Sequence, residues 1–259
     1  MRNHQRGHTL KNSSAIAGLL FGFTALLLAS ACATQPPAPP PAARANFDVV
    51  MREATVAMSR GDYDAAVKHL SQAVALRPDA ARAHNYLGMA YEQRNQHDLA
   101  KRSFEMAVYF DSSFAAAYNN LGSVCSLTGD YQQATAHFDR ALTLAPEMVA
   151  ALYNMGNALL ALGRLEDATP YLLKALTLDP DFLDSSSTLV ANVRSDQLGG
   201  PEASFLYAKL FASLGNVEKT FQYLQRARAA GFTDWQRIVD DRGFDAVRQD
   251  PRLAEFLAR

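Results

Sequence analysis

The sequence predicts an all-α solenoid of stacked helix pairs closed by a C-terminal helical cap. Three observations carry that prediction. Small and large apolar residues recur with a period of 34. Each period holds two amphipathic runs, with apolar residues at helical spacing. Glycine falls midway through the period and proline near its end, where a helix must stop.

The period shows in several columns at once. Ala66, Ala100, Ala134 and Ala168 are 34 apart, as are Ala73, Ala107, Ala141 and Ala175. Gly88, Gly122 and Gly156 form a third column. Gly61, Gly129 and Gly163 form a fourth, with Asn95 in the missing slot. Pro78, Pro146 and Pro180 form a fifth, with Ser112 in theirs. Leu70, Phe104, Phe138 and Leu172 supply the large apolar member. Four units follow: 47–80, 81–114, 115–148 and 149–182. One helix pair cannot bury its own apolar face, so the pairs must stack.

In Leu121-Gly122, Gly129-Asp130-Tyr131, Ala134, Phe138, Ala141 and Pro146 the pattern resembles the tetratricopeptide repeat. The first unit departs from it at its front, where Glu53 and Ala54 replace Leu-Gly. The resemblance implies a right-handed superhelix whose concave groove is lined by the first helix of each pair. Residues two, five, six, nine and twelve of each unit are expected to face that groove. In this chain they include Met51, Arg52 and Met58, then Arg82, Asn85, Tyr86 and Met89. Asn119, Asn120 and Ser123 follow, then Tyr153, Asn154 and Asn157. Asparagine both donates and accepts, so it can pair with a peptide backbone, while Tyr and Met give adaptable apolar contact. Asn85, Tyr86, Met89, Asn119, Asn120, Tyr153, Asn154 and Asn157 are therefore the expected partner-binding set. The other reading is that the asparagines brace neighbouring helices. The carboxylate clamp of the family's chaperone adaptors has no counterpart: its slots hold Met51, Thr55, Tyr86, Ala116 and Asn120.

Beyond 182 the phase weakens. Residues 183–200 open polar, with Leu189, Val190 and Val193 suggesting a helix ended by Gly199-Gly200. A degenerate unit at 201–233 carries Tyr207-Ala208, Leu214-Gly215, Leu224 and Ala227, with Thr220 in an alanine slot. Trp235, Ile238, Phe244, Val247, Leu253, Phe256 and Leu257 offer the apolar stripe of a terminal cap. Residues 183–259 are thus expected to form a degenerate repeat and cap.

The N-terminus reads as an address. Residues 1–31 carry Arg2, Arg6 and Lys11 and no acidic residue. An apolar run from Ala15 to Leu28 is followed by Ala29-Ser30-Ala31. A basic start, a short apolar core and a small-residue exit describe a secretory signal peptide. The run is shorter than the roughly 20 residues a spanning helix needs. Leu28-Ala29-Ser30-Ala31-Cys32 resembles a bacterial lipobox, with leucine one place further from the cysteine than usual. That resemblance implies acylation of Cys32, and Ala33 after it favours the outer membrane. Ordinary cleavage after Ala31 or Ala33 is the other reading. Residues 32–45 are the expected lipidation site and linker, with five prolines in 34–43. Such a run favours polyproline II at about 3.1 Å per residue, a spacer of roughly 30 Å.

The chemistry of catalysis is sparse. The net charge of −1 excludes a protein that grips nucleic acid by phosphate neutralisation. Two cysteines, Cys32 and Cys125, exclude a disulfide scaffold, and Cys125 takes a slot for a packed apolar residue. His69, His84, His97 and His137 have no ligands at metal spacing. Ser185-Ser186-Ser187 lacks a positioned base, and Asp240-Asp241 reads as a helix-end or ion-pair feature. The sequence therefore predicts a non-catalytic adaptor of the bacterial cell envelope with no cofactor, metal, nucleic acid or small-molecule substrate. It is expected as an outer-membrane lipoprotein facing the periplasm, binding a peptide or partner helix during assembly of a pilus or outer-membrane machine. The alternative is a soluble periplasmic or secreted subunit or regulator of a peptidoglycan or polysaccharide enzyme.

Overall fold

The computed structural model describes residues 41–180, 182 and 200–258, which are helical with no strand among them. The expected signal peptide, Cys32 and the Leu189–Val193 helix lie outside the described residues. Four helix pairs come first: α1 Pro41–Ser59 with α2 Tyr63–Leu76, α3 Ala81–Gln93 with α4 His97–Phe110, α5 Ala115–Leu127 with α6 Tyr131–Leu144, and α7 Val149–Ala161 with α8 Leu165–Leu178. A fifth pair, α9 Gly200–Ser213 with α10 Val217–Ala229, follows. The chain closes with α11 Gln236–Asp240, a 3-10 turn Arg242–Val247 and α12 Pro251–Ala258.

Two boundaries differ from expectation. Helix α1 starts at Pro41, inside the expected spacer of 34–43 and linker of 32–45. Proline tolerates the first helical position because its missing N–H would have had no partner there. Gly200 opens α9 where the Gly pair was expected to end a helix.

Each pair turns the same way. Gly61, Gly129, Gly163 and Gly215 have φ between +73° and +82°, and Asn95 takes φ +56° in their column. Asparagine enters this left-handed region more readily than other side chains. The next N–H reaches back to the first helix, as from Asp62 to Ala57 (2.9 Å) and Asp130 to Cys125 (2.8 Å). Asp62, Asp130 and Asn216 then cap the second helix by accepting from the N–H groups of Ala65, Gln133 and Lys219. The second helices end at Leu76, Phe110, Leu144 and Leu178, just before Pro78, Ser112, Pro146 and Pro180.

In the second, third and fourth pairs the two helices meet where a glycine faces a large apolar residue; Ala54 and Ala208 take the glycine slot in the first and fifth. A Cβ added at Gly88 would lie 2.6 Å from the Phe104 ring, at Gly122 2.5 Å from Phe138, and at Gly156 2.4 Å from Leu172. The glycine column therefore exists to admit the large residue of its partner helix. The flanking alanine columns are buried. In the fifth pair Thr220 sits buried in its alanine slot, and its hydroxyl donates to the Asn216 carbonyl at 2.7 Å.

The cap is held by aromatic and guanidinium stacking. Trp235 packs edge-on between Phe232 and Phe256, at 4.9 and 5.0 Å. Arg228 lies 3.5 Å over the Phe256 ring, Arg237 4.6 Å over Phe205, and Arg252 4.7 Å over Phe221. Lys209 and Asp241 pair at 2.6 Å, and Asp241 also accepts from Gly243 N–H. Ile238, Phe244, Val247, Leu253 and Phe256 are buried as expected of the cap stripe, Trp235 is half-buried, and Leu257 is exposed. The short α12 turns only one narrow face inward, so Leu253 and Phe256 use it and Leu257 falls outside.

Gly122→Ala is expected to lower stability by about 1–3 kcal/mol through overpacking against Phe138. Gly129→Ala, at φ +82° with open space around it, is expected to lower it by about 1–2 kcal/mol through backbone strain alone. Urea denaturation of the two variants checks both. Burial first, then the Lys101 cation, hold the His137 imidazole below its ordinary pKa. The unfolded chain then takes up this proton at higher pH than the folded chain. Stability is expected to fall as pH drops below about 6.5, and His137→Gln should make that slope shallower in denaturation measured from pH 7.5 to 5.5.

Candidate partner-binding face

Along the stack the first helices touch one another: α3 meets α5 and α5 meets α7. They therefore form the tighter, inner curve. The residues expected to bind a partner lie on this layer, and the structure divides them in two.

The asparagines are buried and bonded to one another across units. Asn120 Nδ2 donates to Asn85 Oδ1 at 3.0 Å, and Asn154 Nδ2 donates to Asn119 Oδ1 at 3.1 Å. Each bond spans 35 residues, from the sixth position of one unit to the fifth of the one before. Asn154 Nδ2 also reaches Ser123 Oγ at 3.2 Å, and Asn119 Nδ2 lies 3.4 Å from Asn120 Oδ1. The result is a ladder of amides across three units. It stops where the chemistry changes, at Tyr86 and Met51 on one side and Tyr153 and Leu206 on the other.

At the far end Tyr207 takes over. Its hydroxyl donates to Asn157 Oδ1 at 2.8 Å, joining α9 to α7 across the break in the repeat. Burial first, then the nearby Tyr153, raises the Tyr207 phenol well above its ordinary pKa, so it stays a donor at physiological pH. Tyr153 and Asn157 are buried, and the Asn157 Nδ2 group has no hydrogen-bond partner.

The accessible members are at the N-terminal half. Tyr86 and Met89 are half-buried, as are Met51 and Met58, while Arg52 and Arg82 are exposed. Arg82 donates to the Tyr86 hydroxyl at 3.2 Å and stacks 5.5 Å over its ring. Asn85 Nδ2 approaches Met89 Sδ at 3.6 Å. Arg82, Tyr86 and Met89 thus form a small patch that can offer a guanidinium, a phenol edge and a thioether. It rests on Asn85, the first rung of the ladder.

The other groups singled out in the sequence are packed in place. His84 Nε2 lies 2.8 Å from the Pro78 carbonyl, and its ring stacks on Phe110 at 5.4 Å. His69 pairs with Glu53 at 3.2 Å. Cys125 is buried, and desolvation pushes its thiol pKa up, so it stays protonated and unreactive at neutral pH. Among the described residues no His, Cys, Asp and Glu gather as metal ligands would. No described helix is long and apolar enough to cross a membrane. The bonds agree with the reading in which the asparagines brace neighbouring helices, but the sequence does not say which residues pair, because the partners lie 35 apart, one more than the repeat. A diagonal of Asn in positions five and six of successive units was the available signal.

Asn154→Ala is expected to lower stability by about 1–3 kcal/mol, because Asn119 Oδ1 loses its buried donor. Asn154→Asp should be worse, since it sets an acceptor against an acceptor. Urea denaturation read by circular dichroism checks both.

Comparison with known proteins agrees with this architecture. Tetratricopeptide-repeat family models match residues 56–94, 81–114 and 113–181. No curated protein sequence matches the chain. Among solved structures, MamA is similar at 18% identity with a TM-score of 0.52, covering 76% of this chain and 96% of that one. Pseudomonas aeruginosa pilF is similar at 21% identity with a TM-score of 0.51, covering 77% and 99%. The O-GlcNAc transferase of Thermobaculum terrenum is similar at 22% identity with a TM-score of 0.50, covering 54% of this chain and 27% of that one. At these identities the likeness is one of fold. Residues 56–181 are tetratricopeptide repeats, and the chain is built as a tetratricopeptide-repeat α-solenoid.

Proposed function

We propose that the protein is a non-catalytic adaptor of a bacterial cell envelope that holds an extended peptide or a partner helix along its inner face. One observation supports this above the rest: the accessible Arg82–Tyr86–Met89 patch beside a rigid, electrically neutral amide ladder. Pre-formed polar groups with adaptable apolar neighbours suit a chain-like ligand, because little ordering is left for the partner to supply. The neutral ladder favours backbone and apolar recognition over capture of a charged terminus.

The envelope location is supported by the N-terminal address. In this reading Cys32 is acylated, and the proline-rich run after it spaces the solenoid from the outer membrane on the periplasmic side. The partner is then a component of an envelope assembly such as a pilus or outer-membrane machine.

Crosslinking in intact cells followed by capture of the full-length chain tests the groove. A partner recovered with the wild type is expected to fall about tenfold in yield with a folded Tyr86→Ala/Met89→Ala variant. A yield that does not change would move binding off this face. Detergent partitioning tests the anchor. The wild type is expected in the detergent phase and Cys32→Ser in the aqueous phase, whereas an aqueous wild type would favour the secreted form.

A further inference from the structure

The outer surface carries a feature that the inner face does not explain. Four exposed large apolar side chains lie on α4: Leu99 (40% exposed), Met106 (40%), Tyr109 (77%) and Phe110 (36%). Leu99, Met106 and Tyr109 follow one helical face, three and seven residues apart, with Arg102 between them. The other repeats do not have this stripe. The slots of Leu99 hold Ala65, Gln133 and Asp167. Those of Met106 hold Gln72, Arg140 and Lys174, and those of Tyr109 hold Ala75, Thr143 and Thr177. The stripe is therefore particular to the second unit rather than required by the fold. Scattered single apolar residues are ordinary on a protein surface, but an aligned set is not.

The charges on the same face point to its occupant. Arg102 and Glu105 are exposed, and neither forms an ion pair with a described residue. Both lie midway along the helix between Leu99 and Tyr109, Arg102 within the stripe and Glu105 at its Tyr109 edge. A face of this design is self-complementary. Turn a second α4 antiparallel about the helix centre, near residue 104, and each Leu99 meets the other copy's Tyr109. Each Arg102 then meets the other copy's Glu105 and Met106. At 1.5 Å rise per residue the paired groups fall level with one another to within about one residue. Such reciprocity is what a two-fold interface requires, since one patch must serve both subunits.

We propose that the outer face of α4 is a homodimer interface, taking a second copy of this chain in antiparallel, two-fold pairing. The contact is small and centred on one helix per copy, so the dimer is weak and reversible. It leaves the inner face of both copies open, and it does not rest on the groove reading above.

Charge exchange tests the proposal. The full-length chain, kept reduced in mild detergent, is followed by sedimentation equilibrium over a wide concentration range. The wild type is expected to pass between monomer and dimer. Arg102→Glu and Glu105→Arg are each expected to weaken association about tenfold or more, because like charges then face each other across the axis. Arg102→Glu combined with Glu105→Arg is expected to restore it, since the exchanged pair is again reciprocal. Tyr109→Ser should weaken it without changing the helical spectrum. A chain that stays monomeric at every concentration overturns the proposal and leaves the stripe to a different protein. So does an association that none of the four variants alters, or a double variant that fails to recover.

Discussion

The stack depends on one contact, the meeting of a small residue in the first helix of a unit (glycine in the middle three pairs, Ala54 and Ala208 in the outer two) with the large apolar residue of the second. At Gly88 and Phe104, Gly122 and Phe138, and Gly156 and Leu172 there is no room for even a methyl group. This sets how closely each pair closes, and so how wide a face it presents to the next. The rise of the solenoid and the spacing of its inner residues follow from that closeness. A fixed inner spacing is in turn what lets Asn120 reach Asn85 and Asn154 reach Asn119 with nearly equal geometry, 3.0 and 3.1 Å.

The ladder changes how the units depend on one another. In a solenoid each unit contacts only its neighbours, and stability is close to a sum of unit and interface terms. Apolar interfaces alone would tolerate small slips in angle. A buried amide pair does not, because a misaligned donor and acceptor would each be left unsatisfied. The asparagines therefore act as a register between the second, third and fourth units. They lend rigidity to the inner face without being its most accessible part. Met51 and Tyr86 at the front, outside the ladder, have no such partners and are correspondingly freer to meet another molecule.

Much of this was legible in the sequence, and the parts that were not have physical reasons. The alanine, glycine and proline columns placed the helix pairs because each marks a local demand: a close approach, a positive φ or a helix end. Asn95 in a glycine slot was legible for the same reason, since its side chain accepts the left-handed turn. Bracing of neighbouring helices by the inner asparagines is one of the two readings the sequence offers, but which residues bond to which is not legible in it. Those bonds join residues 35 apart and depend on how two helices cross. The start of α1 at Pro41 is not legible in the sequence because a run of prolines argues against helix interior but not against a helix's first position. The exposure of the Leu99–Tyr109 stripe is not legible in the sequence because apolar spacing that predicts a helix does not say which of its faces is covered.

The region after α8 shows how the same rules absorb a break in the period. Eighteen residues separate the phase of the fourth pair from that of the fifth, since Ala208 and Leu224 stand 52 beyond Gly156 and Leu172 rather than 34. The fifth pair nevertheless docks on the fourth. Tyr207 reaches Asn157 at 2.8 Å, and Lys219 donates to the Pro180 carbonyl at 3.0 Å. The first bond puts a long side chain where the middle units use Asn pairs, and the second has a counterpart between the third and fourth units, where Lys174 donates to the Pro146 carbonyl at 2.8 Å. The tyrosine also fills the space with its ring, stacking on Tyr223 at 5.2 Å. Here a ladder built from identical short rungs gives way to an aromatic one, and the cap continues in that manner through Phe205, Phe232, Trp235 and Phe256. Aromatic rings bury more surface per residue than alanine and glycine can. That suits the fifth pair, which has a helix pair on one side and only the short cap elements on the other.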